Sequence, residues 1–194
     1  MTSTKGGRCL RLGTRGSALA RAQSALIAEA LEEFHPGLKI EQVVIRTRGD
    51  RILNQPLETL GGKAVFVREI EQALLAGEVD FAVHSLKDLP AELPEGLELA
   101  AVPEREDPAD ALVSPSGQAL TALAAGARVA TGSPRRVAQL RLLRPDLECV
   151  PLRGNVDTRL CRLEEGAFEA MVLAVAGLRR LGRLDRRAHR LEPA

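Results

Sequence analysis

RLGTRGS, Arg11 to Ser17, and RVATGSPRR, Arg128 to Arg136, are two versions of one device. Each runs from a short apolar alternation into a Thr-x-x-Ser or Thr-x-Ser turn rich in Gly and Arg, and then into a helical pattern. After Ser17 the apolar residues Leu19, Ala22, Leu26, Ile27, Ala30, Leu31 and Phe34 recur at spacings of three and four, the stripe of an amphipathic helix. His35-Pro36-Gly37 stops it, and a second strand over about Leu38 to Thr47 follows. Strand, turn, helix and strand in that order predict a βαβ unit and hence a parallel sheet.

The second version stands in the same setting. Strands are expected at Ala111 to Val113, Arg128 to Thr131, Leu147 to Pro151 and Ala170 to Val175. Helices over about Leu120 to Ala124, Arg135 to Leu143, Val156 to Glu165 and a short one near Leu178 alternate with them. Between the two halves, Leu97 to Val102 reads as one more strand of the first, and the charged stretch Pro103 to Pro108 as a crossing. The expected division is therefore an α/β domain over residues 1–104 and a second over 105–194, each a mixed, mainly parallel sheet flanked by helices.

In an open α/β sheet, ligands bind beyond the carboxyl ends of the strands. Ser17 and Ser133 stand at helix N-cap positions, and Pro134 at a first helical position. With Arg15, Thr131, Arg135 and Arg136 beside free backbone N–H groups, both turns suit a carboxylate or phosphate. Taken singly, each is better explained as an ordinary capped helix. Their duplication points to a ligand met from both halves across a cleft. Arg153-Gly154-Asn155 and Arg159 add guanidinium groups after another strand, and such planar forks bind carboxylates in a bidentate manner. The Arg-rich end, Arg179 to Arg190, reads mostly as a solvated helix face, with Arg180 kept as a possible contact.

FAVHSLKDLP, Phe81 to Pro90, supplies the opposite charge. Val79, Phe81 and Val83 alternate with Asp80, Ala82 and His84 as in a strand of four to six residues, and Pro90 forbids an easy continuation. Lys87 and Asp88 then sit where a strand ends. A polar turn there is commonly just solvated, but Asp88 is the candidate catalytic acid. Upstream, Gly61-Gly62-Lys63 precedes a helix over Ala64 to Ala76 that Gly77 ends.

Composition narrows the class. The 194 residues are 45% apolar and 27% charged, ordinary for a globular protein. No apolar run approaches the roughly 20 residues of a membrane span, and a cytoplasmic location is expected. From Arg105 onward 15 Arg face 11 acids, which suits a small anion. Nucleic acid is disfavoured, since there is no Trp or Tyr and only four Phe to stack on bases. Cys9, Cys149 and Cys161 are odd in number and lack metal-ligand spacing, so reduced thiols and no metal are expected.

HSLKDLP, GGKAVFVREIE, the TRGD loop at 47–50, EREDPADALVS, TGSPRR, LRGNVDTRL and LAVAGLRRLG, in that order, resemble the porphobilinogen deaminase (hydroxymethylbilane synthase) family from about Leu10 to Leu191. The resemblance implies two domains like the type II periplasmic binding proteins, followed by a third. It implies a transferase that joins four porphobilinogen molecules head to tail into hydroxymethylbilane, releasing ammonia, in tetrapyrrole and heme biosynthesis. The growing chain is tethered to a dipyrromethane cofactor. Asp88 matches the catalytic aspartate that stabilises the cation formed as ammonia leaves. Arg15, Ser17, Lys87, Thr131, Ser133, Arg135, Arg136, Arg153, Arg159 and Arg180 match positions that bind acetate and propionate side chains of cofactor and substrate, and Lys63 falls in a loop over the cleft.

The family's third domain carries the cofactor on a cysteine, and none of Cys9, Cys149 and Cys161 matches that position. The sequence thus reads as domains 1 and 2 alone: a fragment, a split subunit served by a separate C-terminal domain, or an inactive copy, in a family that is mostly monomeric. The expectation is that the chain by itself neither assembles dipyrromethane nor turns over substrate efficiently. Intact mass should show no dipyrromethane increment; an increment with product formation would overturn this. The alternative is a noncatalytic module of the periplasmic binding type for a small carboxylate ligand, which Asp88→Ala would leave binding normally.

Overall fold

A computed structural model describes residues 8–47, 67–185 and 187–192. Its contacts divide the chain into two compact units, Met1–Ala101 and Val102–Ala194. Lys63, most of the TRGD loop and the start of GGKAVFVREIE lie outside the described residues.

The first unit contains β1 (Cys9–Arg15), α1 (Ala18–Phe34), β2 (Lys39–Ile45), α2 (Arg68–Leu75) and the two-residue β3 (Phe81–Ala82), followed by a 3₁₀ turn at Leu86–Asp88. Its strands form a parallel sheet in the order β2-β1-β3. Ser17 does cap α1, its hydroxyl accepting from the Ala20 N–H at 3.3 Å. Leu12, Val67, Ile70 and Val79 are buried in its core. Thr14 and Ser24 are buried as well, and bond to each other at 2.8 Å, which removes the cost of an unpaired hydroxyl.

The second unit contains β4 (Asp110–Val113), β5 (Arg128–Ala130), α3 (Pro134–Leu143), β6 (Glu148–Val150), α4 (Val156–Glu164), β7 (Ala170–Ala174), α5 (Val175–Arg180) and β8 (Ala188–Leu191), with a 3₁₀ turn at Leu120–Ala122. The sheet order is β6-β5-β7-β4-β8. β5 is parallel to β6 and β7, whereas β4 runs antiparallel to β7 and β8. Strand β7 is covered on both faces: Met171 and Leu173 join Leu152, Leu160, Leu163 and Leu178 on one side, while Ala170 and Val172 join Leu112, Leu140 and Leu147 on the other. That period of two is why AMVLA reads as unbroken hydrophobicity.

The orders β2-β1-β3 and β6-β5-β7 are the same pattern, and one clip recurs in both. Asp80, just before β3, donates its N–H to the Arg11 carbonyl of β1, the Arg11 N–H donates back to Asp80 Oδ2 at 2.7 Å, and the guanidinium reaches Asp80 and the Gly77 carbonyl. Arg128 in β5 and Glu169, just before β7, repeat this, the Arg128 N–H donating to Glu169 Oε2 at 2.6 Å and the guanidinium reaching the Gly166 carbonyl. The side-chain and main-chain bonds from Arg11 hold the Asp80 carboxyl down at about 2. A carboxyl lowered on folding stabilises above its unfolded value, near 3.8, and the contribution fades as pH falls toward 2. Asp80→Asn should therefore lower the melting temperature by a few degrees at pH 7, with the difference from the unsubstituted chain vanishing near pH 2. A gap that persists undiminished to pH 2 would contradict the clip's charge dependence.

Gly132 follows β5 where a Cβ would stand 2.6 Å from the Leu152 carbonyl oxygen, a main-chain atom that cannot swing away. Gly132→Ala should cost about 1–3 kcal/mol, read as a lowered urea midpoint.

Three sequence expectations change. The strand expected over 79–84 shrinks to Phe81–Ala82, because only Leu12 and Gly13 of β1 pair with it. Leu97 to Val102 alternates as a strand does but forms none, and Leu99 and Val102 are 52% and 66% exposed, with no neighbouring strand. The Arg-rich end is a helix face only as far as Arg180, the last residue of α5: beyond it Ala188–Leu191 pairs with β4, and Arg187 pairs with Asp185 and Glu164, and Arg190 with Asp107 and Glu192.

Candidate functional site

The candidate residues gather at the carboxyl ends of parallel strands within each unit. In the first unit Arg15 ends β1 and Ser17 caps α1. The chain leaving β3 passes through His84 and Ser85 into the 3₁₀ turn, where the Asp88 N–H donates to the Ser85 carbonyl at 2.8 Å. Asp88 is half-buried and Lys87 exposed. Burial pushes the His84 imidazole below its ordinary value; the Asp88 charge opposes this and the Arg15 charge adds to it. Burial thus disfavours the charged form of His84 beside Asp88. Gln23 on α1, which the sequence reading passed over, exchanges hydrogen bonds with the Ser85 hydroxyl at 3.0 and 3.2 Å and so ties the start of the turn to the helix.

In the second unit, Thr131 is buried, accepts the Ser133 N–H at 3.2 Å, and donates its own N–H to Val150. Ser133 occupies the N-cap position and Pro134 opens α3, but the Ser133 hydroxyl makes no capping bond. The duplicated helix start therefore differs between the halves. Arg136 reaches Asp110 through Nε at 3.0 Å and Nη2 at 2.6 Å, and donates from Nη1 to the Val172 carbonyl. Arg135 shares Asp110 at 2.8 Å and bonds Gln139. Burial works to raise the Asp110 carboxyl, but the bonds from Arg136 and Arg135 outweigh it and hold the group below its ordinary value.

Beyond β6, Arg159 on α4 donates from Nε to the Gly154 carbonyl at 2.7 Å. Burial lowers its guanidinium below the ordinary value, and the charges of Arg136 and Arg153 push the same way. Arg153 Nη1 is buried without a hydrogen-bond partner among the described residues. Buried cations without counter-charge are costly unless something pairs with them. Arg153 and Arg159 thus have donors open to an anion, beside an Arg136 that Asp110 already pairs. Arg180 ends α5, and its charge helps to lower the Glu106 carboxyl, chiefly held down by the Asp107 N–H. Arg179 beside it pairs with Glu106.

Asp110 also escaped the sequence reading. It sits inside the EREDPADALVS stretch, and only the antiparallel register of β4, which sets Asp110 opposite Ala174, carries it to the carboxyl end of β7.

A family model described as porphobilinogen deaminase, dipyrromethane cofactor binding domain, matches residues 10–194. Porphobilinogen deaminases from Syntrophobacter fumaroxidans and from Roseiflexus sp. are 54% identical over 187 residues and 57% over 173. The matches cover 96% and 89% of this chain, but only 60% and 57% of those proteins. The chain thus spans about 60% of the length of the curated relatives it matches. Among solved structures, the sulfate-bound regulatory domain of an OxyR2 mutant from Vibrio vulnificus is similar at a TM-score of 0.55 and 14% identity, covering 100% of this chain and 84% of that one. The probable amino-acid ABC transporter extracellular-binding protein ytmK from Bacillus subtilis gives 0.51 and 12%, covering 95% and 82%. These likenesses place the fold among type II periplasmic-binding-protein architectures. With the match running through every strand of both units, the chain belongs to the porphobilinogen deaminase family.

Proposed function

We propose that this chain provides the substrate-binding and catalytic residues of a hydroxymethylbilane synthase, acting on porphobilinogen. The observation that carries the reading is the Arg136, Arg153 and Arg159 group, with its desolvated guanidinium and buried unpartnered N–H. Porphobilinogen carries an acetate and a propionate, which match what Arg153 and Arg159 lack. Each charge-assisted bond to such a guanidinium is worth about 1.5–3 kcal/mol.

The same donors fit the carboxylates of dipyrromethane: Arg153 and Arg159 offer N–H groups that the protein itself leaves unused or desolvated. When bound, that group supplies the primer to which pyrrole units are added. Arg135, Arg136, Thr131 and Ser133 would orient the carboxylates beside them. In the first unit Arg15, Ser17 and Lys87 hold side-chain carboxylates, and Lys63 is proposed to join them. Asp88 faces positive charge developing on the pyrrole as ammonia leaves.

Isothermal titration of porphobilinogen into the chain tests the reading. Binding in the micromolar range that Arg153→Gln weakens at least tenfold supports it. No heat, or binding indifferent to Arg153, removes its basis.

A further inference from the structure

We infer that Asp110 is the positioning residue of the guanidinium group, fixing Arg135 and Arg136 so that their remaining N–H groups stand ready for ligand carboxylates; this rests on the reading above. One carboxylate accepts from both side chains, twice from Arg136 and once from Arg135. The ion pair with Arg136 is withdrawn from water, the two side chains being 14% and 12% exposed, whereas Arg135 is 62% exposed. Arg135 therefore owes its orientation to Asp110 and Gln139, not to packing.

The electrostatics point the same way. The charges of Arg136 and Arg153 oppose that of Arg159. Without Asp110, Arg136 would keep its bond to the Val172 carbonyl but lose both bonds to its counter-charge. Asp110 keeps it in the group before any ligand arrives. Removing the carboxylate also removes a negative charge near the ligand, which favours anion binding. That gain is a single screened interaction, while two long side chains must be immobilised afresh on each binding event. The ordering cost outweighs it. A groove of about 360 Å³, lined by Asp110, Arg135, Arg136 and Gln139 at its polar end and by Leu120 and Leu140 on its walls, borders the same residues.

The test is a double-mutant cycle on porphobilinogen affinity, measured by titration calorimetry with Asp110→Asn, Arg135→Gln and the pair, alongside Arg159→Gln and Asp110→Glu. Asp110→Asn should weaken binding about tenfold, a difference of about 1.4 kcal/mol. The pair should be weaker by far less than the product of the single effects, because Asp110 acts through Arg135. Asp110→Glu should recover affinity to within about threefold. Should Asp110→Asn fail to fold, Asp110→Glu read alone decides, and a loss of about tenfold or more there overturns the inference. Independent effects, or tighter binding by Asp110→Asn, overturn it as well, while loss in Arg159→Gln leaves the functional reading standing. An unsubstituted chain that does not bind porphobilinogen sinks both.

Discussion

Replacing Asp88 with Asn is expected to lower ammonia release from porphobilinogen by about 10²–10³-fold with affinity unchanged within about threefold. Asp88 lies at the carboxyl end of β3 on a turn fixed by its own N–H and by the Gln23–Ser85 bonds, so the substitution leaves the backbone in place. Asparagine keeps the shape and an acceptor oxygen but loses the charge. A carboxylate that acts on the cation of the leaving step affects the rate and not the ground-state grip on acetate and propionate, which guanidinium groups provide. The assay is ammonia released per bound dipyrromethane, with the remaining part of a relative such as the Syntrophobacter fumaroxidans protein supplied in trans if the chain alone is silent. Equal losses in affinity and rate would make Asp88 a binding residue; an unchanged rate would remove it from the chemistry.

Arg159→Gln is expected to act in two opposite directions. Porphobilinogen affinity should fall about 30- to 100-fold, as loss of charge-assisted bonds worth about 2–3 kcal/mol implies. The melting temperature of the ligand-free chain should stay level or rise, because the substitution removes a desolvated cation that Arg136 and Arg153 repel. A residue kept for packing alone would lose stability without touching affinity. Such a trade of stability for a ready anion site is common where function demands like charges together. Ligand should then raise the melting temperature of the unsubstituted chain more than that of the variant. A variant that binds normally and melts lower would contradict the assignment.

Much of this was legible because it is local. Ser17 as a cap, Pro134 at the head of a helix and the unbroken run of β7 are written in neighbouring residues, and the structure agrees with each; the stripe from Leu19 to Phe34 announced the helix but not its buried face, which holds Ser24 and Ala28 while Leu26 and Phe34 are exposed. What stayed hidden depends on partners distant in sequence. The shortness of β3 follows from its two pairings with β1, and the failure of Leu97 to Val102 to form a strand from the lack of a neighbour. β8 exists because β4 offers it an edge, which no local pattern among its arginines announces. At the candidate site the cations were visible by type and spacing. Asp110 was not, because the antiparallel register that brings it to them is a tertiary fact. Nor could spacing reveal that Arg159 is desolvated while the arginines near the chain's end are paired with acids.

The claim at the centre is that guanidinium groups of this chain hold the carboxylates of porphobilinogen. Titration calorimetry comparing porphobilinogen with its dimethyl ester tests it most directly, since esterification removes both charges and leaves the pyrrole intact. The account predicts that the ester binds at least 100-fold more weakly, a loss of about 2.7 kcal/mol. Equal affinity for acid and ester would contradict it.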